Sequence, residues 1–237
     1  YDFIIPCSHQ MADWCHSMGV PEDKLVVVPN ACGYPVEDEL VEQILTRRWQ
    51  FQDRKKLKIL FLGRFARQKG LDRLLAVVTE SRRRKLPIQW RLVGKNVLKD
   101  ENSANELQTI TDLIEPPALT SEAINEVYEW ADVLLLPSYW EGLPLTVLEA
   151  MRLGVVVCAS NVGAMEEVVD DGETGFLIPN LKGDGYVEAV MKVLTKLINE
   201  PEEVRKISQT AAMAAAQRNW SQACAGLIEK LNLVLKA

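Results

Sequence analysis

An α/β fold, with a doubly wound, mostly parallel sheet and additional C-terminal helices, is the architecture that this sequence predicts. Short apolar runs such as VLLL and GVVVC are bounded by Gly or Pro and separated by helical stretches. Because these runs are apolar along their whole length, they are typical of parallel strands that helices cover on both faces. A chain of 237 residues, 48% of them apolar, is long enough to bury such a core.

The first elements alternate between strand and helix. DFIIPCS predicts a short strand, and Ser8 then caps a helix that ends before Gly19 and Pro21. KLVVVPN predicts a second strand, followed by an acidic helix at 37–49. The run KLKILFLG predicts a buried strand, and a loop containing Gly and Arg leads to a helix from Leu71.

The alternation continues to the end of the chain. IQWRLVG predicts a strand, INEVYEWA a short helix and DVLLLPS another strand, and GVVVCAS and GAMEEVVDDGETGFLIPN follow. We therefore expect a doubly wound core from about residue 57 to residue 197. The tail reads as helix only: Pro201 begins one helix, and Trp220 with Ser221 separates it from the last.

Composition limits the function classes. The 27 basic and 33 acidic residues give a net charge of −6, which argues against nucleic-acid binding. We interpret the one basic cluster, SRRRK at 81–85, as a solvated helix end, with peripheral contact to anionic lipid as the alternative. Five cysteines without CxxC or ligand spacing predict reduced thiols. No apolar run has the length of a membrane span, so we expect a cytoplasmic protein, with peripheral attachment at the inner membrane surface left open.

The loop after ILFLG carries the first candidate site. Arg64 and Lys69 precede the helix that starts at Gly70, so two cations and free helix N–H groups could converge on one anion. That arrangement suits a phosphate or a diphosphate. The sequence has neither the GxxxxGK pattern of a phosphate-binding loop nor the GxGxxG pattern of a dinucleotide site.

The loop after DVLLLPS carries the second candidate site. Glu141 precedes a helix whose first turn suits Pro144, and Glu149 lies roughly 7 Å along that helix. Glu149 shares a polar stripe with Thr146 and Arg152. The residues expected to pack inward are Leu145, Val147, Leu148, Ala150, Met151 and Leu153. Two carboxylates so spaced can hold hydroxyl-bearing groups on either side of an anion at the helix N-terminus, which is the layout of a sugar, a diphosphate and a ribose.

The order of the motifs also resembles a known family. GRFARQKG, followed by ADVLLLPSYWEGLPLTVLEAMRLGVVVCASNVGAMEEVVDDGETGFLIP, is similar to the C-terminal, donor-binding domain of retaining GT-B glycosyltransferases of family 4, or group 1. Glu141 and Glu149 form its E-x7-E element. The resemblance covers most of the chain and implies three parts. They are the end of an N-terminal domain with an interdomain segment (1–56), a Rossmann-like nucleotide-sugar-binding domain (57–199) and C-terminal helices that pack on the core (200–237).

The resemblance implies a hexosyltransferase with a nucleotide-sugar donor linked to UDP, GDP or ADP, and no metal or other cofactor. Arg64 and Lys69 match the diphosphate-binding pair, Glu141 matches the carboxylate that contacts the sugar, and Glu149 matches the one that binds the ribose. Glu141, Arg64 and Lys69 are the implied catalytic residues. The implied donor-binding set is Gly63, Arg64, Lys69, Gly94, Lys95, Glu141, Gly142, Leu143, Pro144, Leu145, Thr146 and Glu149, with Pro116 and Pro117 as further residues near the nucleobase.

Two departures from the family pattern leave questions open. The family often has Gly-Asp-Gly-Pro after the base-side strand, whereas this chain has VGKNVLKDENSANE, so the nucleobase stays undetermined. The resemblance also implies an N-terminal domain that mostly recognises the acceptor. Because the chain begins at Tyr1 with a strand that looks as if it were entered in mid-protein, we expect this domain to be almost wholly absent and the isolated fragment to be inactive. The alternatives are a non-catalytic nucleotide-sugar-binding module and a GT-B sugar-nucleotide epimerase, which the E-x7-E element disfavours.

Overall fold

The computed structural model describes residues 3–32, 37–50, 56–97 and 107–235. Within these ranges six strands form one parallel sheet in the order β3-β2-β1-β4-β5-β6. The strands are β1 (Leu57–Leu62), β2 (Ile88–Val93), β3 (Ile114–Glu115), β4 (Val133–Leu136), β5 (Val156–Ser160) and β6 (Gly175–Ile178). The predicted fold class, a doubly wound parallel α/β sheet, is confirmed.

Eight α-helices accompany the sheet in the same ranges. They are α1 (His9–Ser17), α2 (Asp38–Gln50), α3 (Leu71–Arg83), α4 (Ser121–Trp130), α5 (Leu145–Arg152), α6 (Asp184–Asn199), α7 (Pro201–Ala216) and α8 (Trp220–Leu235). None of these helices, within the described part of the chain, combines the length and the apolar character that crossing a bilayer requires.

The sheet separates two apolar layers, which explains why a central strand such as β4 is apolar along its whole length. Leu60 and Leu134 belong to one buried cluster, which side chains of α4, α5 and α7 complete. Their neighbours Ile59 and Leu135 belong to the other cluster, which α3 and α6 complete. Successive residues of a strand point to opposite faces, so each face of β1 and β4 has its own helical cover.

The switch in strand order lies between β1 and β4. The chain passes from β1 to β2 and β3 on one side and then returns to β4 on the other side. The loops that follow β1 and β4 therefore diverge and leave a crevice at the carboxyl edge of the sheet. Gly70 sets how closely α3 approaches this edge: its φ is +69°, and a Cβ there would lie 2.0 Å from the Pro137 carbonyl oxygen.

The N-terminal segment departs from the prediction of two strands. Residues 3–8 and 24–30 run parallel, but the only bridge that they form is Ile4 with Leu25. Val28 N donates to Pro6 O at 2.9 Å, and Asn30 N donates to Cys7 O at 3.1 Å. Pro6 and Pro29 lack an N–H donor, which prevents a regular ladder.

The C-terminal helices also differ from the prediction in one respect. Trp220 is the first residue of α8, and not part of a separator between two helices, because the break falls at 217–219. Ser208 of α7 donates to Gly154 O, directly after α5. Lys230 of α8 donates to Asp23 O and lies 5.0 Å from the Phe3 ring, so α8 reaches the N-terminal segment.

The basic cluster at the end of α3 is offset by acidic neighbours. Arg82 pairs with Asp112 at 2.8 Å, and Arg83 pairs with Glu80 at 2.6 Å. Arg84 contacts both Glu80 and Glu188. The hydrogen bonds from Arg83 and Arg84 lower the pKa of Glu80 to about 2. These contacts fit the interpretation of the cluster as a solvated helix end.

Candidate functional site

The loops after β1 and β2 lie side by side at the carboxyl edge. Gly63 N donates to Val93 O at 3.0 Å, and Phe65 N donates to Lys95 O at 3.0 Å. A Cβ at Gly94 would lie 1.7 Å from the Gly63 carbonyl oxygen, so the two loops can approach this closely only with glycine at 94. The structure therefore brings together Gly63, Gly94 and Lys95.

An ion pair joins the loop after β1 to the loop after β4. Lys69 ends a short 3-10 turn, Arg67–Lys69, that leads into α3. Its Nζ donates to Glu141 Oε1 at 2.6 Å and to Oε2 at 2.9 Å. Ser138 Oγ donates to Oε1 at 2.6 Å. Glu141 is only 5% exposed, and in such surroundings a carboxylate needs this degree of hydrogen bonding.

Arg64 occupies a different environment from Lys69. Its side chain is exposed and makes no hydrogen bond or ion pair with the described residues. The expected convergence of Arg64 and Lys69 on one anion is thus not preformed, because Lys69 is bound to Glu141. Arg64 nevertheless belongs to the same short connection between β1 and α3.

The segment between Glu141 and α5 is held from several sides. Asn30 Nδ2 donates to Leu143 O at 2.6 Å, and Ala164 N donates to Gly142 O at 3.1 Å. A Cβ at Gly163 would lie 1.9 Å from the Glu141 carbonyl oxygen, so the turn after β5 presses directly on this segment. These contacts fix the course of the backbone that leads into the helix.

The N-terminus of α5 offers unpaired donors. Pro144 is its N-cap, with φ −71° and ψ 130°, and precedes the first turn instead of lying in it as predicted. Val147 N donates to Pro144 O at 3.1 Å. In the described part of the chain the N–H groups of Leu145 and Thr146 have no acceptor. A helix N-terminus with free N–H groups attracts an anion.

Glu149 lies one turn further along α5 and is half-buried. Tyr128 donates its hydroxyl proton towards Glu149 Oε2 at 3.0 Å and towards Thr146 O at 3.2 Å. Burial raises the pKa of the Glu149 carboxyl above its ordinary value, and the hydrogen bond from Tyr128 partly opposes this rise.

Two side chains of α5 contradict the predicted helix faces. Leu145 is 38% exposed, because it lies in the first turn at the carboxyl edge of the sheet and not over the core. Arg152 is only 9% exposed, although the sequence pattern predicts it on the polar stripe. Its guanidinium contacts Asp38 of α2, which packs over that end of the helix.

A cleft of about 280 Å³ lies beside Gly94. It is lined by Phe65, Gly94, Asn96, Leu107, Gln108, Thr111, Ile114, Glu115 and Pro116. Lys95 and Pro117 are exposed next to it. Residues 98–106 of the stretch that departs from the family pattern lie outside the described residues.

Four residues at the site were missed from the sequence. Ser138 could have been found, since it lies two residues after a parallel strand, where ligands are bound. Tyr128 and Asn30 gave no signal, because their contacts depend on the tertiary fold. Arg73 also gave none: it is 5% exposed and donates to Ser138 O at 3.3 Å, to Asn180 Oδ1 at 2.6 Å and to Leu181 O at 2.9 Å.

Glu167 and the two histidines lie around α1. Glu167 accepts hydrogen bonds from His9 N at 3.1 Å and from Gln10 N at 2.8 Å. It thus complements the dipole of α1, not that of the turn in which it stands. His16 Nδ1 lies 3.3 Å from Val20 O, and both imidazoles are exposed. Across the described ranges, no three His, Cys, Asp or Glu side chains are grouped to hold a metal ion.

Comparison with known proteins finds relatives that are longer than this chain. A protein of Klebsiella pneumoniae described as an uncharacterized 41.2 kDa protein in the cps region is 32% identical over 207 residues, which are 85% of this chain and 54% of that protein. A D-inositol 3-phosphate glycosyltransferase of Arthrobacter sp. (strain FB24) is 28% identical over 180 residues, which are 73% of this chain and 42% of that protein. The chain spans about half the length of these relatives.

Solved structures share the fold at lower identity. The pneumococcal O-GlcNAc transferase GtfA, in complex with UDP and GlcNAc, superimposes with a TM-score of 0.77 at 18% identity, over 100% of this chain and 46% of that one. Anabaena Alr3699/HepE, in complex with UDP and glucose, gives a TM-score of 0.74 at 20% identity, over 98% and 63% of the two chains. The sequence model of the family described as glycosyl transferases group 1 matches residues 43–212, which is more than half of the chain. The chain therefore belongs to the group 1 family of glycosyl transferases.

Proposed function

We propose that this chain is the donor-binding half of a retaining glycosyltransferase, which moves a hexosyl group from a nucleotide sugar to an acceptor. The observation that carries the proposal is the Lys69–Glu141 ion pair, placed at the switch point of a parallel sheet and next to the N-terminus of α5. Family membership supports the transferase class. The proposal that the reaction retains the configuration at the anomeric carbon rests on the match of Glu141 and Glu149 to the E-x7-E element.

The diphosphate of the donor is assigned to the crevice between the loops after β1 and β4. Lys69 and Arg64 supply positive charge, and Leu145 and Thr146 supply free N–H groups. When the bond between the anomeric carbon and the diphosphate breaks, negative charge develops on the departing oxygen. Donors that are already in place stabilise that charge without further reorganisation, and such stabilisation is usually the largest contribution to catalysis.

The two carboxylates are assigned to the two sugar rings of the donor. Glu141 contacts the transferred sugar. Both of its carboxylate oxygens accept hydrogen bonds from Lys69, so they are suited to accept from sugar hydroxyl groups when these take the place of the Lys69 ammonium. Glu149, further along α5, accepts from the ribose hydroxyls. The cleft beside Gly94 and Pro116 receives the nucleobase. Because two solved neighbours contain UDP, uracil is the first base to test.

The acceptor is assigned to a different part of the enzyme. We propose that residues 1–56 connect to an N-terminal GT-B domain that binds the acceptor, that 57–199 bind the donor and that 200–237 complete the packing. The greater length of the relatives supports this division. The contacts of Lys230 with Phe3 and Asp23 support a role for α8 next to the connection.

Calorimetric titration of the chain with UDP, GDP and ADP, first without Mg²⁺ and then with it, tests the proposal. We expect one nucleotide to bind without the metal, and Arg64→Ala to weaken its binding by about tenfold or more, as for loss of a charged hydrogen bond. Arg205→Ala, which removes an exposed arginine of α7, is the matched control and should bind like wild type. Absence of binding for all three nucleotides would overturn the proposal.

A further inference from the structure

We infer that Tyr128 is a positioning residue that orients Glu149, and that it thereby sets the preference of the site for a nucleotide carrying ribose hydroxyls. The inference rests on the proposed function, because it assumes that a nucleoside diphosphate occupies the crevice. Tyr128 itself touches no substrate in this scheme, and its effect passes through the carboxylate of Glu149.

The hydroxyl of Tyr128 joins two parts of α5. It lies 3.0 Å from Glu149 Oε2 and 3.2 Å from Thr146 O. A phenol has one proton, so the two acceptors share it, and the carboxylate oxygen is the nearer one. The first turn of α5 and the side chain of Glu149 are therefore held by the same group.

The position of the Tyr128 ring is itself fixed. Tyr128 is 0% exposed and packs in the apolar cluster beneath α5. Arg48 Nη2 donates to Tyr128 O at 2.9 Å, and Nη1 of the same guanidinium donates to Leu153 O at 2.8 Å. One arginine thus ties the end of α4 to the end of α5. The hydroxyl cannot move relative to α5 without breaking these contacts or disturbing the core.

This geometry leaves one carboxylate oxygen for a ligand. Glu149 Oε2 is engaged by Tyr128, whereas Oε1 has no partner among the described residues. Without the tyrosine hydroxyl, a half-buried glutamate would regain rotamer freedom, and fixing it on binding would cost affinity. A ribose offers two neighbouring hydroxyl donors to a carboxylate oriented in this way, and a dideoxyribose offers none. The burial that raises the pKa of Glu149 also makes a compensating donor valuable for its charged form.

The test is a comparison of Y128F with wild type, using UDP and 2′,3′-dideoxy-UDP as probes and calorimetric Kd values as the readout. Phenylalanine keeps the buried ring and removes only the hydroxyl. We expect Y128F to bind UDP about threefold to tenfold more weakly, with little change for dideoxy-UDP, as for indirect loss of a hydrogen bond to a charged group. The ratio of the Kd for dideoxy-UDP to the Kd for UDP should fall in Y128F towards the ratio measured for E149A. The double variant, Y128F with E149A, should have the same ratio as E149A alone.

Controls separate positioning from general destabilisation. Y186F removes the hydroxyl of another fully buried tyrosine, which contacts Ser160 Oγ at 2.9 Å, and it should leave the UDP to dideoxy-UDP ratio unchanged. If Y128F does not fold, 3-fluorotyrosine at position 128 alone retains the ring and makes the hydroxyl a stronger donor, so the ratio should rise. Equal weakening of both nucleotides in Y128F, or an unchanged ratio with fluorotyrosine, overturns the inference. If wild type binds no UDP, GDP or ADP, the proposed function fails first, and the inference fails with it.

Discussion

Lys69 Nζ lies within hydrogen-bond distance of both carboxylate oxygens of Glu141, at 2.6 and 2.9 Å, although 72 positions separate the two residues in sequence. The pair bridges the loops after β1 and β4, and both side chains are largely buried. The electrostatic attraction between the two charges is therefore stronger than in a surface ion pair. Removal of one charge leaves the other buried and poorly compensated.

Replacing one member of the pair should cost more than replacing both. We expect Lys69→Met to lower the free energy of unfolding by about 3 kcal/mol, since Glu141 remains buried with Ser138 as its remaining donor. Lys69→Met with Glu141→Gln should recover at least half of that loss. Urea unfolding of the two single variants and the double variant measures the coupling, and strictly additive effects would show that the pair has no energetic role.

Gly94→Ala should prevent the close approach of the loops after β1 and β2. Its Cβ would meet the Gly63 carbonyl oxygen at 1.7 Å, so the backbone must shift, at a cost of about 3 kcal/mol. We also expect loss of nucleotide binding. Gly185→Ala is the matched control: it lies in helix α6, its nearest side-chain neighbour would be 3.6 Å away, and it should be neutral or slightly stabilising. Thermal unfolding of both variants checks the difference.

Glu149→Gln should stabilise the fold at neutral pH while weakening nucleotide binding. Burial raises the pKa of Glu149 in the folded chain above the ordinary 4.5, so the ionised side chain lowers stability above that pH, and this cost vanishes once both states are protonated. An amide removes the cost and can still accept from Tyr128. We expect the Tm to rise by about 2 °C at pH 7.5, and the gain to shrink as the pH falls towards 4.5.

Glu126→Gln, which replaces an exposed glutamate of α4, serves as the charge-matched control for that experiment. It should change the Tm little at either pH. A gain for Glu149→Gln that is as large at low pH as at neutral pH would show that the stabilisation has another origin.

The Arg73→Lys substitution should destabilise the fold, although it keeps the positive charge. The guanidinium donates to loops after β4 and β6 at once and stacks 3.8 Å from the ring of Tyr139. An ammonium group has neither the flat face nor the fork of donors, so several carbonyls lose their partners. We expect both Arg73→Lys and Arg73→Met to lose about 2–3 kcal/mol of stability. Chemical unfolding measures this loss, and full stability in Arg73→Lys would contradict it.

The fold was predictable because the sheet is parallel and buried on both faces. The strand Val133–Leu136 is wholly apolar and is followed by Pro137, and the apolar run that contains β5 follows Gly154. Local patterns were insufficient where an element lies at the periphery. The segment that contains Pro6 forms one bridge instead of a strand, and Arg152 is buried by α2, whose packing the periodicity of α5 does not reveal.

The loops of the candidate site were predictable for the same geometric reason, since ligands bind where parallel strands end. The contacts that their side chains make with other elements were not predictable. The contact of Glu149 with Tyr128 and that of Lys69 with Glu141 join residues from different elements, and one sequence carries no record of such pairings.

The short turn Gly163–Glu167 touches two parts of the molecule that lie far apart in sequence. At one end Gly163 abuts the backbone of Glu141, and at the other the Glu167 carboxylate holds the first N–H groups of α1. The turn that joins these two contacts is only five residues long. We therefore expect a displacement of α1 to shift the backbone of Glu141 as well, because the two ends of this turn contact the two segments.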